Sequence, residues 1–209
     1  MTSSIHGLIL AGGQSTRMGT DKAFIELGAV GQPLVLVSRD ALLAAGATTV
    51  RCVGGDGDRL RALDLEVLDD EHPGEGPLGG LLTGIRAATG AVRVRRGAGA
   101  ADAPTDDKIV VVLTCDLPAI DAATVTALVE ALTADETADA AVPMLDGRRQ
   151  ILTAAYRVRV LGRLDEQYLA GERSVRRAVA SLRVVELENI DREALVDVDH
   201  PEDLDQWKD

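Results

Sequence analysis

The sequence contains very few aromatic residues and only two cysteines. Phe, Tyr and Trp make up 2% of the 209 residues, so the core must be built from Val, Leu, Ile and Ala. So few rings exclude a base-stacking platform for single-stranded nucleic acid. Cys52 and Cys115 lie in apolar β-like runs, where we expect buried free thiols. Their number excludes a disulfide framework and a metal site made of cysteines alone.

Positive charge and long hydrophobic runs are also scarce. Lys and Arg number 22 against 34 Asp and Glu, a formal net charge of -12, and a binder of phosphate backbones does not carry that balance. We therefore expect no nucleic-acid partner, and any anionic ligand must be held locally. No apolar stretch approaches the roughly 18 to 20 residues of a membrane span. The first residues show no secretory signal, so we expect a cytoplasmic protein.

What the sequence does contain is an alternation of short β-branched runs with longer Ala- and Leu-rich stretches. With 46% apolar and 27% charged residues, residues 1–209 are expected to form a single domain with a full core. The alternation predicts an α/β fold with a mostly parallel sheet. The expected strands are Gly7–Leu10, Thr48–Val53, Leu65–Leu68, Lys108–Cys115, Ala140–Met144, Ile151–Tyr156 and Arg183–Leu187; the expected helices are Pro33–Ala45, Pro77–Ala88, Ala122–Thr133, Val158–Ala170 and Val175–Ser181.

Residues 91–107 break this alternation. The segment is rich in Gly, Ala and charge, has no hydrophobic period, and is too long for a usual connection between a helix and a strand. One interpretation is a flexible, solvent-exposed insertion. The alternative is a mobile arm that brings Arg93, Arg95 and Arg96 to a phosphate or a partner, and the sequence leaves both open.

The segment from Leu10 to Lys22 carries the strongest functional signal. It leaves the first strand and exposes Gly12 and Gly13 at the strand's carboxyl end, where open α/β sheets bind ligands. Glycines let backbone N–H groups approach phosphates closely, and Arg17 and Lys22 add two cations. The pattern is neither the dinucleotide G-x-G-x-x-G nor the P-loop motif, so a dinucleotide-dependent oxidoreductase is not favoured.

Two further segments fit a nucleotide site. Asp116 follows the buried strand Ile109–Leu113, and a carboxylate at the end of a central strand is suited to hold a divalent cation beside phosphates. Asp121 is the better candidate to cap the helix that follows. Gly76–Gly80 contains two glycines after its initial Gly-Pro and opens a helix, whose first N–H groups are free to donate to a ligand.

The sequence Leu-Ala-Gly-Gly-Gln-Ser-Thr-Arg-Met-Gly-Thr-Asp-Lys at Leu10–Lys22 resembles the signature of single-domain, Rossmann-like nucleotidyltransferases. More narrowly, it resembles the MobA-like enzymes that make molybdopterin guanine dinucleotide. The resemblance implies a three-layer α/β/α sandwich of the nucleotide-diphospho-sugar transferase type. It implies transfer of GMP from GTP to the phosphate of molybdopterin, with Mg²⁺ as cofactor. Transient contacts with other molybdenum cofactor proteins and a monomer or weak oligomer are the corresponding expectations.

The same resemblance assigns roles to individual residues. Catalysis is assigned to Arg17, Lys22 and Asp116, and the metal to Asp116 with Asp199 as a second candidate ligand. The residues assigned to the nucleotide are Leu10, Ala11, Gly12, Gly13, Lys22, Asp69, Gly76, Pro77, Leu78, Gly80 and Asp116. Those assigned to the acceptor are Arg173, Asp197 and Asp199.

The closing motif departs from the family's pattern. Asp197 and Asp199 stand where MobA-like chains usually carry Asn, and Asp-x-Asp also occurs in cytidylyl-transferring relatives. Leu117 and the intact Gly76–Gly80 favour guanine instead. A cytidylyl- or sugar-phosphate nucleotidyltransferase and a non-catalytic nucleotide-binding protein therefore remain as alternatives. For Asp199 itself, a helix-capping role ahead of Pro201 is the competing interpretation.

Overall fold

The computed structural model describes residues 4–12, 21–27, 31–90 and 108–207. The expectation for residues 91–107 lies outside these ranges. Within them, an eight-stranded sheet and a separate two-stranded hairpin are present. The strands are β1 (Ile5–Leu10), β2 (Glu26–Leu27), β3 (Gln32–Pro33), β4 (Thr49–Val53), β5 (Glu66–Leu68), β6 (Ile109–Thr114), β7 (Ala140–Leu145), β8 (Arg148–Arg149), β9 (Ala154–Arg157) and β10 (Val184–Leu187).

The large sheet is mostly parallel and has the order β10-β7-β9-β6-β1-β4-β5, with β8 paired to β7. β1 lies between β4 and β6 and is parallel to both, while β9 is antiparallel to its neighbours β6 and β7. β4 is parallel to β5, and β7 to β10. The carboxyl ends of these six parallel strands consequently meet at one edge of the sheet, which is where open α/β folds bind ligands.

Helices cover both faces of the sheet. The α-helices in the described ranges are α1 (Leu34–Ala44), α2 (Gly57–Ala62), α3 (Pro77–Thr89), α4 (Ala122–Ala134), α5 (Leu161–Leu169) and α6 (Val175–Val179). Buried residues of α3, α5 and α6 form one hydrophobic cluster with the sheet, and those of α1, α2 and α4 form another. This arrangement confirms the predicted three-layer α/β/α sandwich. No described helix is long and apolar enough to cross a membrane.

The central strand β6 explains why the sheet is buried. Val110 and Val112 pack into one hydrophobic cluster, and Ile109, Val111 and Leu113 pack into the other. Because successive side chains of a strand point to opposite faces, a strand covered on both sides must be apolar throughout. The sequence prediction of such a strand here is confirmed.

Helix α3 begins at Pro77, as the sequence indicates, and ends one residue beyond the expected Ala88. Pro77 occupies its first turn, and Gly90 ends it in the left-handed conformation with φ 74°. Along the helix, a Cβ added to Gly84 would lie 2.1 Å from Leu8 Cδ2. The glycine therefore allows α3 to approach β1 closely, and it holds the helix over the strand that ends at the ligand edge.

Two expected elements begin three residues later than predicted. The strand expected at Ile151–Tyr156 begins only at Ala154, because residues 151–153 form a turn. The Tyr156 hydroxyl, on the strand, donates to the Ile151 carbonyl in that turn at 2.6 Å. The helix expected from Val158 begins with a 3-10 turn, Val158–Val160. The Val158 N–H still donates to the carbonyl of Lys108 at 3.1 Å, so the chain enters the helix directly from the sheet.

Candidate active site

The backbone around Asp116 is fixed from two sides. The hydroxyl of the buried Ser38, on α1, donates to the carbonyl of Thr114 at 3.0 Å. The Val198 N–H donates to the carbonyl of Asp116 at 3.0 Å, and the Val198 side chain is fully buried. The C-terminal segment is thereby joined to the end of β6, and the two neighbours of Val198 in the chain are held beside Asp116.

Asp116, Asp197 and Asp199 form a carboxylate cluster. One oxygen from each lies within 4.8 Å of the other two. Oδ1 of Asp116 is buried and has no hydrogen-bond partner among the described residues, and a buried acceptor without a donor is costly. Oxygen ligands of this kind are those that Mg²⁺ and Ca²⁺ prefer. The residues present therefore fit a hard divalent cation at this strand end.

Lys22 is the cation that the structure places against the carboxylate cluster. Its Nζ lies 3.1 Å from Asp116 Oδ2 and 2.5 Å from Asp199 Oδ1. Asp21 positions it by capping the 3-10 turn Lys22–Phe24, where its carboxylate accepts from the Ala23 N–H at 3.1 Å. Lys22 thus connects the carboxylates of Asp116 and Asp199.

The electrostatics of the cluster favour bound positive charge. Burial lowers the pKa of Lys22, but the hydrogen bonds and charges of Asp199 and Asp116 outweigh it, and the pKa is raised. Lys22 is therefore protonated at neutral pH. Partial burial, followed by the charges of Asp199 and Asp116, raises the pKa of Asp197. Three carboxylates thus carry more negative charge than Lys22 neutralises.

The ends of β1 and β4 form a glycine edge, defined by Gly12, Gly54 and Gly55. The Ala11 N–H donates to the Val53 carbonyl at 3.0 Å, and Leu10 and Ala11 are buried while Gly12 is exposed. Gly54 has φ 79°, and a Cβ there would lie 2.8 Å from Gly12 Cα. Only bare backbone fits this contact. Gly13 and Arg17, which the sequence assigns to the same loop, lie outside the described residues.

The start of α3 lies at the same sheet edge. Asp69, Gly76 and Pro77 are exposed there, and Gly76 has φ 87°. Leu78 and Gly80 are buried, and a Cβ at Gly80 would lie 3.2 Å from a methyl group of Leu10. Leu78 and Gly80 therefore pack α3 against the sheet and in this way position the start of the helix at this edge.

Arg173 lies against the segment that precedes α3. Its Nε is 2.8 Å from Glu75 Oε2, and its guanidinium stacks over the Tyr168 ring at 4.0 Å. The Tyr168 hydroxyl donates to the same Glu75 carboxylate, and this bond is the main reason that the pKa of Glu75 is lowered. The residues predicted for the acceptor thus fall into two groups, with Asp197 and Asp199 at Asp116 and Arg173 at Glu75.

The sequence analysis missed the hairpin formed by β7 and β8. Asp146 and Gly147 connect these strands with φ 50° and 70°, and Asp-Gly between two strands is a strong hairpin signal. Arg148 and Gln150 follow the turn and line an open cavity together with Asp197. The Asp-Gly pair could have indicated the hairpin, but nothing local indicates that it lies beside Asp197.

Comparisons with known proteins show what this chain is similar to. The family model described as MobA-like NTP transferase domain matches residues 7–186. A protein of Opitutus terrae named probable molybdenum cofactor guanylyltransferase is 34% identical over 210 residues, covering 98% of this chain and 95% of the relative. One of the same name from Chloroflexus aggregans is 32% identical, covering 86% of this chain and 78% of the relative.

The fold is also found among solved structures. The crystal structure of molybdopterin-guanine dinucleotide biosynthesis protein A from Archaeoglobus fulgidus superimposes with a TM-score of 0.69. The match covers 97% of this chain and 96% of that one at 21% identity. At that identity the likeness supports the architecture, which is the nucleotide-diphospho-sugar transferase type expected from the sequence.

Proposed function

The chain belongs to the MobA-like NTP transferase family, and from that premise we propose that it transfers GMP from GTP to the phosphate of molybdopterin. The products are molybdopterin guanine dinucleotide and pyrophosphate. The guanylyltransferase names of its relatives favour GTP over CTP. The observation that carries the proposal is the position of Lys22 and the carboxylate cluster at the end of β6, where a triphosphate and a cation can meet.

The proposed cofactor is Mg²⁺, held by Asp116 and, as a second ligand, Asp199. The buried and unpartnered Oδ1 of Asp116 supports this assignment, and so does the set of three carboxylate oxygens within 4.8 Å. A magnesium ion supplies neutralisation of phosphate charge during the transfer. Asp197, whose pKa is raised by burial and by its acidic neighbours, gains stabilisation as a carboxylate when positive charge is added to the cluster.

The nucleotide lies along the glycine edge and the start of α3. We assign the backbone N–H groups of Gly12 and Gly13 and the guanidinium of Arg17 to the triphosphate, as the resemblance of Leu10–Lys22 implies. The base lies at Asp69 and at Gly76-Pro77, where the exposed positive-φ glycine opens the helix. Helix N-termini and glycine loops are favourable for such ligands because their N–H groups are free.

The transfer is an in-line displacement at the α-phosphorus of GTP. A phosphate oxygen of the acceptor forms the new P–O bond, and the bond from the α-phosphorus to the bridging oxygen of the β-phosphate breaks. A phosphate monoester has its second pKa near 6 and is largely ionised at pH 7, so no general base is required. Lys22 and Arg17 stabilise the charge of the triphosphate and of the leaving pyrophosphate, and positioning accounts for the rest of the acceleration.

The test is calorimetric titration of the full chain with GTP, CTP, ATP and UTP in the presence of Mg²⁺. We expect selective binding of GTP that is lost when Mg²⁺ is chelated or when Asp116 is changed to Ala. Asp121→Ala is the matched control, because Asp121 caps α4 through the Thr124 N–H at 2.8 Å. That variant should lose about 1 kcal/mol of stability and keep GTP binding. Tighter binding of CTP, or equal binding by Asp116→Ala, would contradict the proposal.

A further inference from the structure

An open cavity lies beside the carboxylate cluster, on the side away from the glycine edge. We name it the β8 cavity; it has a volume of about 420 Å³ and is lined by Leu145, Asp146, Arg148, Gln150, Leu195 and Asp197. Small-molecule sites typically have volumes of about 300 to 1,000 Å³. In the sheet, β7 lies two strands from β6 on one side, and β1 and β4 lie on the other side of β6. The β8 cavity and the glycine edge therefore flank Asp116, which follows β6.

The two arginines of β8 are used differently. Arg149 is paired with Glu186, its Nε donating at 2.7 Å. The guanidinium of Arg148, on the opposite face of the strand, makes no hydrogen bond or ion pair within the described part of the chain, and it lines the β8 cavity. Arg148 is exposed, and its positive charge acts on Asp146 without a hydrogen bond between them.

Asp146, the carboxylate on which the charge of Arg148 acts, is hydrogen-bonded to another arginine. Asp146 accepts from both terminal nitrogens of Arg192, at 2.5 and 2.8 Å, and this interaction is the main cause of its lowered pKa. The pair also connects the β7–β8 turn to the segment that leads to Leu195 and Asp197. The pair of Asp146 and Arg192 therefore forms one wall of the β8 cavity. It also leaves the Arg148 guanidinium without a hydrogen bond to Asp146.

Asp197 belongs to both the β8 cavity and the carboxylate cluster. A ligand in the cavity is therefore next to the residues assigned to the metal. A phosphate brought there meets three carboxylates and a chain of net charge -12, so it requires a cation of its own. Arg148 is that cation, because its fork of N–H groups matches two phosphate oxygens.

We propose that the β8 cavity binds the acceptor, with Arg148 holding its phosphate and Leu145, Gln150 and Leu195 contacting its pterin ring. This assignment rests on the proposed function, since it names the site for the second substrate of that reaction. The two leucines supply apolar walls, and Gln150 supplies both a donor and an acceptor for a polar heterocycle. The nucleotide and the acceptor then reach the carboxylate cluster from opposite sides.

The experiment titrates the full chain with molybdopterin and, separately, with GTP and Mg²⁺, for the wild type, Arg148→Ala and Arg149→Ala. We expect Arg148→Ala to weaken molybdopterin binding by about 10- to 100-fold, the usual cost of losing a hydrogen bond to a charged group, and to keep the GTP Kd within about twofold. Arg149→Ala removes the same charge from the same strand and should leave acceptor binding unchanged. Arg148→Lys should be intermediate, because it keeps the charge without the fork.

Each other outcome has a defined meaning. If the wild type binds molybdopterin and Arg148→Ala binds it equally well, the β8 cavity is not the acceptor site and the proposed function is unaffected. If the wild type binds GTP but not molybdopterin, the proposed function fails, and this assignment fails with it. If Arg148→Ala loses GTP binding as well, Arg148 acts on the nucleotide or on the fold, and the assignment is overturned.

Discussion

The glycine edge and the β8 cavity lie at the same edge of the sheet, on either side of Asp116, but they are built differently. At the glycine edge, the backbones after β1 and β4 are in direct contact, and a Cβ at Gly54 would lie 2.8 Å from Gly12 Cα. At the β8 cavity, the walls are apolar and polar side chains, and one of them is held across a long stretch of chain by the pair Asp146 and Arg192.

This difference assigns a separate kind of recognition to each side. Bare backbone presents N–H groups at fixed positions and tolerates no side chain, which suits a triphosphate. Side chains such as Arg148 can be exchanged without disturbing the sheet, which suits the recognition of one particular acceptor. Lys22 and the carboxylate cluster lie between the two sides, where the proposed function brings both substrates together.

The largest effect is expected from Lys22, because it lies where the two sides meet. Lys22→Ala should lower turnover by about 100- to 1,000-fold, comparable to the loss of one donor from an oxyanion site. Steady-state assays at saturating GTP and acceptor measure this. Arg176→Ala removes one positive charge from the exposed surface of α6 and should leave turnover unchanged. Equal turnover in the two variants would remove Lys22 from the mechanism.

A smaller effect is expected from a methyl group at the glycine edge. Gly54→Ala and Gly74→Ala both place alanine at φ 79°, but only the Gly54 Cβ meets other atoms, while nothing lies within 4 Å at Gly74. Gly54→Ala should therefore lose about 1 to 3 kcal/mol more stability than Gly74→Ala and bind GTP more weakly. Denaturant unfolding and GTP titration measure both quantities. An equal loss in the two variants would mean that the backbone contact after β1 and β4 is not tight.

The smallest effect is expected from the wall of the β8 cavity. Arg192→Ala releases Asp146, which can then pair with Arg148 and withdraw it from the acceptor. The acceptor KM should rise by about 3- to 10-fold, while GTP binding stays constant. Both partners are 64% exposed, so stability should change by less than about 1 kcal/mol.

Arg61→Ala is the control for Arg192→Ala, because it breaks the exposed pair with Asp58 on α2 at 3.1 Å. That variant should leave the acceptor KM unchanged. If Arg61→Ala and Arg192→Ala have the same KM for the acceptor, the pair at Asp146 does not shape the acceptor site.

The features that the sequence predicts correctly depend on neighbouring residues. The continuous apolar run of β6, Pro77 at the start of α3 and Asp121 at the start of α4 act within a few positions. The burial of both cysteines is predicted from the same runs and is confirmed. The motif after β1 indicated the family for the same reason, since its signature occupies one continuous segment.

The features that the sequence did not predict depend on residues that are distant in the chain. Whether Arg148 or Arg149 is paired depends on Glu186, which is 37 residues beyond Arg149. The hydrogen bond from the Tyr168 hydroxyl to the Glu75 carboxylate joins residues that are 93 positions apart. No local pattern determines such contacts, because they arise from the packing of α5 against α3 and of β7 against β10.

The decisive measurement is pyrophosphate release by the purified chain, measured with GTP or CTP in the presence and absence of molybdopterin and Mg²⁺. Guanylyl transfer requires release from GTP that depends on both the acceptor and the metal, with CTP a poor substrate. Faster release from CTP, or release from GTP that is independent of the acceptor, would contradict guanylyl transfer at the end of β6.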